Sequence, residues 1–211
     1  MLMIMWNRSN NLKDLGVLKK YERVYDWNDI VLYNSYCLLD DNREEKQKGI
    51  MSNFYSPCNI QFKGMIFCSS EQLYFYRIIS EWGNCFKECD EVLKELMTFT
   101  EGRQVKNCEA VRKIYKKIEN KLKKELGVET YCINDWKLMY ECIRLKYKYC
   151  KAFRDVLDKF SDKILVEDSL WGDNWAGALW DKKIGKYRGA NICGRAIMRV
   201  YKERDEIMGE S

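Results

Sequence analysis

Apolar positions recur along the chain with two periods, and the switches between them mark out its elements. Ile30, Val31, Leu32 and Tyr33 form a short unbroken apolar run, the pattern of a buried strand. Residues 59–62 and 65–68 are two more strand-like runs, separated by Lys63 and Gly64 at the two-residue spacing of a tight hairpin. Ser69-Ser70-Glu71-Gln72 then has the S-x-x-Q form of a capping box ahead of an apolar stretch. This predicts a helix to about Glu81, apolar almost all round through Leu73, Tyr74, Phe75, Tyr76, Ile78 and Ile79, and therefore buried. Helical periodicity returns at 87–99, 107–126 and 134–159. In the second of these, Val111, Ile114, Ile118 and Leu122 share one face, lysines take the other, and Gly127 supplies a stop. Residues 163–167 predict a short buried strand and 189–202 a closing helix. Residues 1–28 are polar and irregular, an extension that Trp6, Tyr25 and Trp27 could anchor on the domain, and 205–211 form a short tail. With one proline, Pro57, and no repeat or low-complexity linker, the pattern predicts a single compact domain at 29–204. Its class is α+β, helix-dominant, with a few short strands including the hairpin.

Composition narrows what such a domain can do. At 211 residues and 46% hydrophobic content the chain can bury one sizeable core without needing a second. No apolar run approaches the roughly 20 residues of a membrane span, so no membrane partner is expected. The apolar start Met1 to Trp6 is too brief for a signal peptide, which predicts a cytoplasmic protein and ten cysteines held as free thiols. Cys85 and Cys89 are spaced i, i+4 and no C-x-x-C occurs, so no structural zinc is expected. Histidine is absent altogether, which excludes Ser-His-Asp and Cys-His nucleophile systems and histidine metal sites. Catalysis here would fall to carboxylates, lysine, tyrosine or cysteine. The net charge of +5 favours an anionic partner, a phosphate-bearing nucleotide or nucleic acid.

Lys146 stands out on the helix predicted at 134–159. Its neighbours at three and four residues are Cys142, Ile143, Tyr149 and Cys150, with Met139 and Phe153 one step further, all apolar. Two readings stand. A lysine facing a core or cleft loses hydration, which favours its neutral, nucleophilic amine; a lysine at the margin of the stripe snorkels its ammonium to water. Lys148, flanked by Arg144 and Lys151, reads as ordinary surface. Glu71 sits in the first turn of the apolar helix beside Tyr74, Phe75 and Ile78, either complementing the helix dipole or held at a pocket wall as acid, base or ribose-hydroxyl acceptor. Glu167 and Asp168 close the strand Ile164-Leu165-Val166, and Asp173 follows in a loop dense with Trp171, Trp175 and Trp180. Carboxylates among aromatics suit cleavage of a ribosyl bond through an oxocarbenium-like state, though a loop covering the core would share that composition.

In order along 29–204, five stretches resemble the NADAR (YbiA-like) family. Ser52-Asn53-Phe54-Tyr55 before the hairpin is similar to its S-N-F-Y/W opening, and Ser70-Glu71-Gln72-Leu73-Tyr74 to its T-x-E-H/Q-x-Y helix start. Gly102-Arg103-Gln104-Val105 resembles G-R-x-V. Trp136 through Met139 to Lys146-Tyr147 resembles the helix ending in K-F, with Met139 off the usual spacing. Leu165-Val166-Glu167-Asp168-Ser169 with Trp175, and then 189–198, resemble L-x-E-x-S, tryptophan-glycine and G-x-N-x-L-G-x-x-L-M. The resemblance implies a compact α+β fold and hydrolysis of N-glycosidic bonds, in ADP-ribosylated guanine or in ribosylamino-pyrimidine phosphates of riboflavin synthesis, with no cofactor and no metal. It also implies roles: Lys146 as nucleophile at the anomeric carbon, with Glu71, Glu167 and Asp173 as acidic groups. Asn53, Phe54, Tyr74 and Asn191 would belong to the substrate pocket, Arg103 would serve phosphate and Trp175 would stack. The chain departs from the pattern in carrying its acid at Asp173 rather than at Gly172, and in replacing W-G-x-G by Trp175-Ala176-Gly177-Ala178. These departures keep open a module that binds ADP-ribose or another nucleotide without cleaving it, and the lysine-rich helix at 107–126 keeps open a nucleic-acid-binding protein.

Overall fold

The computed structural model describes residues 23–26, 30–33, 38–39, 49–126, 135–160, 163–169 and 176–209. Among them the protein is α+β with helix dominant, as the patterning predicts. In chain order the elements are β1 (Arg23–Tyr25), β2 (Ile30–Tyr33), β3 (Leu38–Leu39), β4 (Ile60–Phe62), β5 (Met65–Phe67), α1 (Ser70–Trp82), α2 (Cys89–Met97), α3 (Gly102–Asn107), α4 (Glu109–Leu126), α5 (Asp135–Tyr149), α6 (Lys151–Asp158), β6 (Ile164–Glu167), β7 (Leu179–Asp181), β8 (Lys186–Gly189), α7 (Ile192–Lys202) and α8 (Arg204–Gly209). They group into two compact units, a central one over Asn53–Lys151 and a terminal one drawn from Met1–Ser52 and Ala152–Ser211.

The central unit opens on the β4–β5 hairpin, where Ile60 pairs with Phe67 and Phe62 with Met65. Its turn residues Lys63 and Gly64 both take positive φ, 48° and 76°, as a two-residue hairpin requires. Alternation then puts Ile60 and Phe67 fully inside and Ile66 outside. At the start of α1 the Ser69 hydroxyl accepts from the Gln72 N–H at 3.1 Å, the first half of a capping box. The reciprocal half differs from expectation, because Gln72 Oε1 accepts from the Cys68 N–H at 2.6 Å, one residue early. Gln72 Nε2 donates onward to the Leu96 carbonyl at 2.7 Å, so this buried amide also fastens the end of α2. Leu73 and Ile79 of α1 are fully buried, and each such side chain contributes about 1.5–3 kcal/mol. One face of α4 is sealed by Val111, Ile114 and Ile118, as its spacing dictates.

The helix predicted at 107–126 is α4 from Glu109 on; a short helix not read from the sequence, α3, precedes it, separated by Cys108 with an extended ψ of 117°. The run at 134–159 breaks at Cys150 into α5 and α6, although the Cys150 N–H still reaches the Lys146 carbonyl at 2.8 Å. Gly127 lies outside the described residues.

In the terminal unit β2 lies between antiparallel β3 and parallel β6, with Tyr33 opposite Glu167. A second sheet runs β1–β8–β7, antiparallel throughout. Sequence patterning misses this sheet: Arg23–Tyr25 is a paired strand rather than part of an irregular extension, and Gly189 ends β8 rather than opening the closing helix, which starts at Ile192. Trp180 lies on β7, and 204–209 form α8 with Ile207 buried, where a tail was expected. The start of α7 packs so tightly on β6 that a Cβ on Gly194 would lie 2.2 Å from the Leu165 carbonyl oxygen, so only glycine fits.

Candidate active site

Lys146 is 1% exposed, among the largest fully buried side chains of the protein. Its helical neighbours explain why. Met139, Cys142, Ile143 and Cys150 are all buried, leaving the lysine in an apolar stripe along α5 and the residue that follows it; only Tyr149 is half-exposed. The Lys146 amine lies 5.7 Å from the centre of the Tyr55 ring, a cation–π distance. Two thiols complete its surroundings in the central unit. Cys58 donates to the Tyr55 carbonyl at 3.2 Å, and its hydrogen bond with Cys150 and its burial push its pKa far up, against the pull of the Lys146 charge. Tyr55 is itself raised, first by burial and then by the two thiols. Lys148, by contrast, is half-buried rather than plain surface.

Glu71 is 3% exposed in the first turn of α1, which is deeper than a glutamate serving the helix dipole from the surface. Its N–H donates to the Asn53 carbonyl at 3.0 Å. Ser70 Oγ reaches the Asn53 carbonyl at 3.2 Å and Oδ1 at 3.1 Å, while Asn53 Nδ2 donates to Met139 Sδ at 3.3 Å. Asn53 therefore ties the first turn of α1 to α5. On the other side Arg77 Nη1 joins Glu141 Oε2 at 2.5 Å across the same two helices. The helix α1, which carries Glu71, packs along α5, which carries Lys146. Burial pushes the Cys142 thiol up against the pull of Arg77, and the charges of Glu141 and Glu71 add to the rise.

Phe54 is half-buried with the Lys106 amine 5.3 Å from its ring centre. Behind it Gly102 is packed so closely that a Cβ there would lie 2.5 Å from the Phe54 carbonyl and 2.7 Å from Ser69 Oγ. This contact sets Arg103, exposed in the first turn of α3, beside the same segment. Tyr74 is buried and stacks edge-on against Phe75 with ring centres 5.6 Å apart, so its ring serves the packing of α1.

Glu167 and Asn191 belong to the terminal unit. Asn191 is fully buried with left-handed φ 48° and ψ 46°; its Oδ1 accepts from the Glu167 N–H at 3.0 Å and its Nδ2 donates to the Leu165 carbonyl at 2.8 Å. Both ends of the amide bond to β6, a structural role beside the substrate contact that the resemblance implies. It fixes the strand that carries Glu167. Tyr33, which sequence reasoning passes over, is buried opposite Glu167, and its phenol is raised well above the ordinary range by burial and then by the Glu167 charge. Asp168, half-buried, is raised by burial alone. Asp173 and Trp175, with Trp171, lie outside the described residues.

Among the described residues no three His, Cys, Asp or Glu side chains gather as a metal site, and no helix is long and apolar enough to cross a membrane. The basic face of α4 is partly neutralised. Lys113 pairs with Glu109 at 2.8 Å, Lys117 with Glu88, and Lys121 with Glu125 at 3.8 Å. No family model matches the chain, and no curated protein matches it. The likeness to NADAR proteins stands on the five motifs.

Proposed function

We propose that the protein is an N-glycosidase that hydrolyses a ribosyl C–N bond, with Lys146 as nucleophile and Glu71 as its proton-transfer partner. The observation that carries this reading is the burial of Lys146, at 1% exposure, on α5, with Glu71 also buried, at 3%, on α1, the helix packed against it. An amine kept from water in apolar surroundings favours its neutral form, the form able to attack. In the proposed reaction the Lys146 amine bonds to the ribose C1′ as the bond from C1′ to the base nitrogen breaks, and protonated Glu71 gives its proton to the leaving base. The ribosyl amine opens to an imine on Lys146 and passes its extra proton back to Glu71; water then adds at C1′, frees the amine and yields the sugar with its phosphate groups intact, ADP-ribose or a ribose phosphate according to the substrate. Net, one water is consumed and the base leaves carrying hydrogen, so no metal or redox cofactor enters.

Candidate substrates are ADP-ribosylated guanine, free or within nucleic acid, and ribosylamino-pyrimidine phosphates. A product screen by mass spectrometry over these compounds tests the reading. We expect release of the free base from at least one of them at turnover well above the uncatalysed rate. Tight binding by calorimetry with no released base from any would instead identify a module that recognises the nucleotide without cleaving it. The ion pairs along α4 argue against a nucleic-acid-binding surface as the main function, since paired lysines release fewer counterions on meeting phosphates.

A further inference from the structure

Cys58 and Cys68 are free thiols on the two arms of the β4–β5 hairpin, each within two residues of its strand, and the reaction above uses neither. The Cys58 N–H donates to the Cys68 carbonyl at 2.7 Å, which carries the pairing of the arms beyond the strands themselves. Standard backbone dimensions then hold the two Cα atoms within about 6.6 Å, inside the span of a disulfide. The two thiols differ in access. Cys58 is 2% exposed, whereas Cys68 is half-buried, with its Sγ 3.9 Å from Ser69 Oγ. An oxidant from solvent therefore meets Cys68 first, and Cys58 stands behind it as the resolving thiol. Cys150, the hydrogen-bond partner of the Cys58 thiol, is 4% exposed and equally shielded. Cys58 also connects to the lysine, since its Sγ donates to the Tyr55 carbonyl at 3.2 Å and the Tyr55 ring lies 5.7 Å from the Lys146 amine.

We infer that Cys58 and Cys68 are the site of a reversible disulfide that switches the setting of Lys146, with hydrogen peroxide as oxidant. The Cys68 sulfur attacks one peroxide oxygen, the O–O bond breaks, and water leaves behind a sulfenic acid. The Cys58 sulfur then bonds to the Cys68 sulfur, the S–O bond breaks, and a second water carries away the Cys58 proton. Net, two thiols and one peroxide give a disulfide and two waters, and a dithiol reverses the bridge. Closure consumes the hydrogen that Cys58 gives to the Tyr55 carbonyl and draws its sulfur toward Cys68. The segment from Asn53 to Cys58 loses that tether, and the ring beside Lys146 is reset with it. Burial holds the Cys68 thiol above its usual range, which keeps thiolate scarce, so the bridge forms slowly at neutral pH and faster as pH rises. The bridge stands on the hairpin alone, whereas its effect on turnover rests on the glycosidase reading.

Peptide mapping of the full chain tests it. Trypsin separates the two cysteines, because cleavage after Lys48, Lys63 and Arg77 gives fragments 49–63 and 64–77 with one cysteine each. After hydrogen peroxide, and capping of the remaining thiols with N-ethylmaleimide, these fragments are expected joined and lighter by the two thiol hydrogens. Dithiothreitol should part them, and Cys58→Ser and Cys68→Ser should each lose the joined species. Oxidised wild type should lose most of its turnover and regain it with dithiothreitol, while Cys68→Ser keeps its turnover through the same treatment. Acetylation of Lys146 by acetic anhydride, read in the same maps, should rise on bridging, and it reports the switch without any turnover. Fragments 49–63 and 64–77 recovered apart, or Cys58 joined to Cys150 instead, would overturn the inference. So would a bridged protein whose Lys146 is labelled no more than in the reduced one. Reduced protein that releases no base from any substrate would defeat the glycosidase reading, and the joined fragments and Lys146 labelling would still decide the switch.

Discussion

Replacing Lys146 by methionine is expected to lower turnover by about 10³-fold or more, the scale of losing a covalent nucleophile. Methionine matches the lysine stem in length and suits the stripe of Cys142, Ile143 and Cys150, so α5 keeps its packing and circular dichroism should be unchanged. Substrate binding should persist, because the lost interaction is made at the reacting carbon. A variant that retains turnover within about threefold of wild type, well under the 1.4 kcal/mol that a tenfold change represents, would remove the lysine from the reaction. The remaining catalysis would then have to be sought among the carboxylates.

Asn191→Ala should produce the largest loss of stability. The substitution strands two buried backbone groups, the Glu167 N–H and the Leu165 carbonyl, each costing about 1–3 kcal/mol. Alanine is also less suited than asparagine to the left-handed backbone at this position. Together these give about 2–5 kcal/mol, and in a chain of this size a fall in Tm of roughly 5–15 °C. Thermal melting and kinetics separate this role from a substrate contact. Unchanged Tm with a raised KM would return Asn191 to the ligand pocket; a lowered Tm marks it as the clamp between β6 and α7.

Lys146 was legible in the sequence because helical periodicity needs only local spacing, and of its neighbours at three and four residues Cys142, Ile143 and Cys150 are buried with it. The β4–β5 hairpin was legible for the same reason: its turn is two residues long and its alternation is regular. The sheet of β1, β7 and β8 was not, since strands of three or four residues that alternate Tyr187 inward with exposed Arg188 give too short a period to separate from a polar loop. The break at Cys150 carries no glycine or proline, so nothing in the local sequence marks it. The structural roles of Asn53 and Asn191 were not legible, because each amide bonds to groups distant in sequence and so ties together the elements that carry the acidic groups. Tyr55, by contrast, stood in a motif without a role until its ring was placed beside the Lys146 amine.

The covalent step can be caught directly. Sodium borohydride reduces an imine between a lysine and an opened sugar to a stable amine, so quenching the enzyme during turnover and mapping its peptides reads out the nucleophile. The account predicts a substrate-dependent ribosyl adduct on the peptide carrying Lys146, absent from Lys146→Met. Base release that proceeds while the adduct is missing, or sits on another lysine, would contradict it.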